Sequence, residues 1–221
     1  MTSDGIEIAL VGAGGIGSNL AWTSVPAIHR GALVESIGPV RVRIFDSDLV
    51  SHANLSHQRF SRCDVGRPKV ECVRDALSDF ESENLSIEAC PWDVRSPEDL
   101  GSPDLTVVGV DSSPARIAVH KRGGTWLDLR CAGDNYIALD YRMTPVEVER
   151  LTDPSQLPGS CQMEGALDSG NIQFGHLAAA AHGAQWLVQS MRAMAGNEGS
   201  LLPLTRSSSI TFGTLERMKS G

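Results

Sequence analysis

The sequence predicts an α/β fold: a mostly parallel central sheet with helices on both faces and a short C-terminal β extension. Three observations carry this expectation. Ile6, Ile8, Leu10 and Val11 make a short aliphatic run that ends in Gly12-Ala-Gly-Gly-Ile-Gly-Ser18. Asn19, Leu20, Ala21 and Trp22 follow with no helix breaker before Pro26, so the stretch reads strand, glycine turn, helix. Residues 105–110 form a nearly continuous apolar run, as a central parallel strand covered on both faces requires. Between these runs the apolar spacing switches to the helical period. Together they describe a Rossmann-like unit.

In chain order, residues 19–34 suit a helix with a break at Pro26 or Gly31. Residues 40–45 alternate apolar residues with arginine and read as a second strand ending at Asp46. Residues 49–66 are a polar loop without periodicity. Gly66-Arg67-Pro68-Lys69 opens a helix, since proline suits a first turn and Val70, Val73, Ala76, Leu77 and Phe80 fall at helical spacing. A third strand is expected at 85–89. The 105–110 strand should end at Asp111, with a helix opening at Ser112-Ser-Pro114. Strands at 125–129 and 136–143 precede a crossover loop at 147–158, which ends beside Cys161. Residues 174–194 are an alanine-rich helix with Leu177, Ala181, Ala184, Val188 and Met191 available for one face, and its His176 and His182 read as structural. Residues 201–218 have room for two short strands. The expectation is one domain over residues 1–221.

Composition bounds the function. The chain has 221 residues, 41% hydrophobic and 21% charged, which is ordinary for a globular protein. A net charge of −8 argues against nucleic acid as a partner, because phosphate backbones need a basic surface. Five cysteines without a CxxC pair fit neither a disulfide framework nor a structural zinc site. The N-terminus is polar and no apolar run is long enough to span a bilayer, so the expected setting is cytoplasmic, with no membrane partner.

The glycine turn places backbone N–H groups and the positive end of a helix dipole where a phosphate can sit, because no side chain holds the phosphate away. A tight turn in any α/β protein has the same look. Asp46 and Asp48 stand at a strand's C-terminal end, where open α/β sheets take ligands. Asp46 lies further from the glycines than the roughly 20 residues usual for a ribose-binding acid, and a solvated turn remains the alternative. Asp111, at the mouth of the central strand, suits a metal ion or a helix N-cap equally.

At this point five motifs stand in order: Gly12-Ala-Gly-Gly-Ile-Gly-Ser18, Phe45-Asp-Ser-Asp-Leu-Val50, Asn54-Leu-Ser-His-Gln58, Val65-Gly-Arg-Pro-Lys-Val70 and Val107-Val-Gly-Val-Asp111. With Cys161-Gln-Met-Glu-Gly165 before a small-residue helix, the sequence resembles the ThiF/MoeB/HesA superfamily, the nucleotide-binding core shared with ubiquitin-activating enzymes. The resemblance implies ATP-dependent adenylation of the C-terminal carboxylate of a small ubiquitin-like or sulfur-carrier protein, or of a peptide with a free C-terminus, by a homodimer. Carried over by position, Gly12, Gly14, Gly15 and Gly17 form the triphosphate turn and Asp46, with Asp48 beside it, holds the ribose. Asn54, Gln58 and Lys69 face phosphates, Asp111 binds Mg²⁺, and Cys161 matches a position where some members form a thioester or persulfide. His57 stands where relatives carry arginine; beside a triphosphate its pKa should rise, and Arg59 is the neighbouring cation able to take over. A degenerate, binding-only relative and an NAD-dependent oxidoreductase are the competing functions.

Overall fold

The computed structural model of the chain describes residues 5–152, 161–203, 207–211 and 213–214. Strand β1 (Ile6–Val11) runs through the middle of the sheet. It pairs in parallel with β2 (Val40–Phe45) on one side and β4 (Leu105–Val108) on the other, and β2 pairs with β3 (Leu85–Cys90). Beyond β4 lie parallel β5 (Thr125–Ala132), then antiparallel β6 (Asn135–Asp140), β7 (Ser208–Ser209) and β8 (Gly213–Thr214). Among the described residues the order is β3-β2-β1-β4-β5-β6-β7-β8, so the expected parallel sheet with a short C-terminal β extension is present. Val11 faces Phe45 on one side and Val108 on the other, so three strands finish at one level. The strand order reverses between β1 and β4, and the crevice at such a reversal is where open α/β sheets bind ligands.

The pleat of β1 feeds two cores. Ile8 and Leu10 join one cluster with Ile16 and Leu20 of α1 (Gly15–Ile28) and Trp186 and Leu187 of α7 (Gly175–Met194). Ala9 and Val11 join the other with Phe45, Val108 and Val119 of α4 (Ser113–Arg122). Successive side chains of a strand point to opposite faces, and helices cover both. No helix among the described residues is long and apolar enough to cross a membrane.

Several elements differ from their sequence expectation, each for a physical reason. Helix α1 runs through Pro26 and stops at Ile28, because proline two residues from the end removes only one late bond while Val25 and Ile28 stay buried. After Gly31, at φ +104°, the chain restarts as α2 (Ala32–Ile37). Helix α3 (Lys69–Leu77) ends before Phe80, which lies in a single 3₁₀ turn. The central strand ends at Val108 rather than 110: Gly109 lies against α1, where a Cβ would stand 3.0 Å from Ile16 Cγ2. Strand β5 runs on to Ala132, and β6 ends at Asp140, whose carboxylate accepts from the Arg142 N–H at 2.9 Å and turns the chain.

The expected loop at 147–158 begins as a helix, α5 (Pro145–Leu151), started by a Thr144–Glu147 capping box and Pro145; residues 153–160 lie outside the described ones. A one-turn α6 (Ala166–Ser169) precedes α7. On α7 the buried stripe is Ala179, Ala180, Gly183, Ala184, Leu187 and Met191, and Leu177 is exposed. The stripe is displaced towards Gly183, which packs close against the sheet, where a Cβ would lie 2.7 Å from Leu129 Cδ1.

Candidate active site

The glycine turn follows β1 directly. Gly12, at φ +104°, donates its N–H to the Phe45 carbonyl at 2.7 Å, tying the turn to the end of β2. A Cβ on Gly17 would stand 1.8 Å from the Gly12 carbonyl oxygen, so helix and turn meet at a distance only glycine permits. Gly17 therefore faces inward, whereas Gly14 is the N-cap of α1 and has open space where a Cβ would be. Around Gly15 three side chains converge: a Cβ there would be 3.6 Å from Cys161 Sγ, His176 Cβ and His57 Cδ2 alike.

Beside the turn a cavity of about 380 Å³ opens at the carboxyl ends of β1, β2 and β4, within the size range of small-ligand sites. Asp46, Asp48, Asp93, Arg95 and Asp111 are its charged lining. Asp46 accepts from the Ala13 N–H at 2.7 Å and the Asp48 N–H at 2.8 Å, so its carboxylate is fixed with lone pairs to spare. Burial pushes its pKa up, opposed by those N–H groups and by Lys69. Lys69 is itself buried, with Nζ 2.7 Å from Asp48 Oδ2. Asp111 is exposed and makes no hydrogen bond among the described residues; Ser112, not Asp111, is the N-cap of α4, which removes the capping alternative.

The polar loop at 49–66 folds into two 3₁₀ turns. Asn54 Oδ1 accepts from the Ser51 N–H at 2.8 Å, which leaves the NH₂ as the donating end of this amide. Gln58 Nε2 lies 3.3 Å from His57 Nε2, while Gln58 Oε1 is buried with no hydrogen-bond partner among the described residues. Such an orphaned buried acceptor is unusual. Arg59 is pinned on α1: its Nε donates to Asn19 Oδ1 at 2.9 Å and its guanidinium lies 5.9 Å over Trp22. The His57 ring stands edge-on to His176 at 6.1 Å. Burial, then Lys69, lowers the His57 pKa in the free protein.

Cys161 adjoins Cys131 at the end of β5. The hydrogen bond between the two thiols, followed by burial, pushes Cys131 up, and the same bond holds Cys161 down. Sequence reasoning found Cys161 but treated His176 as structural, although it packs at the turn with Cys161 and His57. It also missed Asp93 and Arg95, which follow β3 at the same end of the sheet and show no periodic signal.

Burial lowers the pKa of His57, His176 and His182. Unfolding frees them to bind protons near their reference value of about 6.5, so stability is full above that pH and falls as pH drops below it. Urea unfolding at pH 7.5 and 5.5 should show this loss, and His176→Gln should reduce it; identical pH dependence in the variant removes His176 from the account.

No group of three or more histidine, cysteine or acidic residues among the described ones is arranged to hold a metal by itself. A carboxylate such as Asp111, without a hydrogen bond among the described residues, would suit a Mg²⁺ held by one or two carboxylates together with nucleotide phosphates and water.

Solved structures share the fold. The microcin C7 biosynthetic enzyme MccB in complex with N-formylated MccA superposes at TM-score 0.65 and 17% identity, over 96% of this chain and 63% of that one. E. coli MccB with ATP gives 0.62 and 14%, over 97% and 63%, and PaaA gives 0.62 and 16%, over 96% and 62%. This chain thus spans less than two thirds of the length of these structures. No curated protein matches the sequence. The ThiF family profile matches residues 4–124, more than half of the 221, and covers four of the motifs and the fifth at Asp111: the chain belongs to the ThiF family.

Proposed function

We propose that the protein is an ATP-dependent adenylyltransferase that activates the C-terminal carboxylate of a peptide or of a small ubiquitin-like or sulfur-carrier protein. The observation that carries this reading is the crevice itself: an open glycine turn at a helix N-terminus, a fixed acceptor at Asp46 and, on the same rim, an Asp111 with no hydrogen bond among the described residues. The likeness to MccB, solved with ATP, with AMPCPP and with its peptide MccA, supports an ATP site and a peptide acceptor. An NAD-dependent oxidoreductase would leave the loop carrying Asn54, Gln58 and Lys69 without a task.

In this reading the ribose hydroxyls donate to Asp46, and the triphosphate lies along the N–H groups of the turn. Asn54 NH₂ and Lys69 neutralise phosphate oxygens, Lys69 by exchanging its contact with Asp48. The acceptor carboxylate is already ionised at pH 7 and needs no general base. Its oxygen attacks the α-phosphorus, the bond to the β-phosphate oxygen breaks, and pyrophosphate leaves with the bonding pair. Asp111 would hold Mg²⁺, which screens the charge that builds as two anions meet. His57 supplies one or two N–H donors where relatives have a fork, and adds charge only where the bound triphosphate raises its pKa. ATP and NADH titrated separately, with and without Mg²⁺, test the ligand: tight, metal-independent NADH binding with feeble ATP binding ends the reading. We place the protein in the cytoplasm as a homodimer, checked by light scattering against the 23.6 kDa monomer mass.

Cys161 stands at the turn, where an acyl-adenylate would form. Its thiolate attacks the acyl carbon, a thioester forms, and AMP departs with the electron pair. Intact mass after incubation with ATP and acceptor should show a hydroxylamine-sensitive adduct in the wild type and none in Cys161→Ala. Equal adenylation with no adduct in either makes the cysteine a packing residue.

A further inference from the structure

Strand β5 carries a carboxylate inside the second core. Asp128 is fully buried, and two arginines and a histidine meet it. Arg116 of α4 donates to Oδ1; His120 Nε2 lies 3.2 Å from Oδ2, and Arg130 reaches Oδ2 with Nη2 at 2.6 Å and Nε at 3.1 Å. Burial opposes its ionisation, but Arg116, His120 and Arg130 outweigh that and hold the carboxyl far below the usual range.

Neither arginine stops at Asp128. Arg116 Nη2 also donates to the Val110 carbonyl, one residue before Asp111 and two past the end of β4, where the strand ladder no longer holds the chain. Arg130 donates to the Leu151 carbonyl and, at 2.7 Å, to Thr152 Oγ1, at the point where the chain leaves α5 on its way to Cys161. Buried ion pairs are often matched or bettered in stability by apolar residues of equal volume. Apolar residues cannot donate to two loop carbonyls, and that is the service this cluster provides.

We propose that Asp128 is a positioning residue which, through Arg116 and Arg130, fixes the segment presenting Asp111 and the chain at Leu151 and Thr152 as one unit, so that Asp111 is held ready for a nucleotide-bound divalent cation. The proposal rests on the reading of Asp111 given above. Arg116→Lys keeps the charge but loses the planar fork that spans Asp128 and Val110. Arg130→Lys does the same at the half-buried end and serves if the first variant does not fold.

The experiment measures ATP affinity of the full chain by calorimetry with and without MgCl₂, alongside amide exchange of the peptide spanning residues 109–112. In both variants Mg²⁺-free ATP binding should match the wild type. The Mg²⁺-dependent gain in affinity should fall about tenfold for Arg116→Lys, as expected when a ligand is displaced by a fraction of an ångström, and less for Arg130→Lys. Exchange at 109–112 should quicken in Arg116→Lys. Folded variants that keep the wild-type gain overturn the proposal alone. A wild type with no Mg²⁺-dependent gain overturns the Asp111 reading and this proposal with it.

Discussion

Asp111→Asn should lower adenylation about a hundredfold or more, the several kcal/mol carried by one charged contact to a catalytic metal. Its melting temperature and Mg²⁺-free ATP binding should remain those of the wild type. The separation follows from the site. Asp111 is exposed and makes no hydrogen bond among the described residues, so asparagine removes a charge without breaking a hydrogen bond. The variant has the same shape, which leaves the cavity mouth as it was. Turnover is read as acceptor-dependent pyrophosphate release at saturating ATP, beside a thermal melt. A variant that turns over normally removes the metal role from Asp111; one that melts much earlier shows a structural role instead.

Asp128→Asn should be the costliest substitution for stability. Removing one partner of a buried ion cluster leaves uncompensated charge in a low-dielectric interior, at about 3–5 kcal/mol. Here Arg116 would keep its burial and lose its carboxylate. For a domain of this size that corresponds to a loss of roughly 10 °C or more in melting temperature. The pH dependence has a definite sign. The folded pKa of Asp128 is depressed, so its contribution is present above the unfolded value of about 3.9 and is lost as pH falls through the folded one. The difference between wild type and variant should therefore be constant from pH 5 to 8 and shrink only in strong acid. A difference below about 1 kcal/mol at pH 7 would mean that the cluster is a solvent-accessible surface pair, not a buried one.

This cluster marks where the sequence stopped being legible. The strands around Val11, Phe45 and Val108 announce themselves because an apolar run between turn residues has few other folds open to it. The glycine turn is equally plain, since the 1.8 Å approach at Gly17 admits no side chain. Asp128 and Arg130 lie in an otherwise apolar strand, and a buried charge demands partners. The sequence gives no sign of which partners, because Arg116 and His120 come from a helix and Thr152 from a turn after another. The start of α5 was readable: Thr144-Pro-Val-Glu147 is a capping box with proline at the first helical position, masked by the acidic, proline-containing stretch that follows. The meeting of His57, His176 and Cys161 over Gly15 was not, since three distant segments reach one backbone atom only after the sheet is assembled.

His57 carries a similar lesson. Beside a bound triphosphate its pKa would be raised, whereas in the free protein burial and then the neighbouring Lys69 lower it. In the proposed reaction the charge of the nucleotide would have to overcome both before the imidazole could act as a cation.

Adenylation of a carboxylate is reversible before product release, so the central claim is tested most directly by isotope exchange between pyrophosphate and ATP. The panel consists of short peptides and ubiquitin-like proteins ending in Gly-Gly, each with its C-terminus free or amidated. The account predicts label entering ATP only when Mg²⁺ and a free C-terminal carboxylate are both present, and none with the amidated form. No exchange with any member of the panel, in a protein that binds NADH more tightly than ATP, would contradict it.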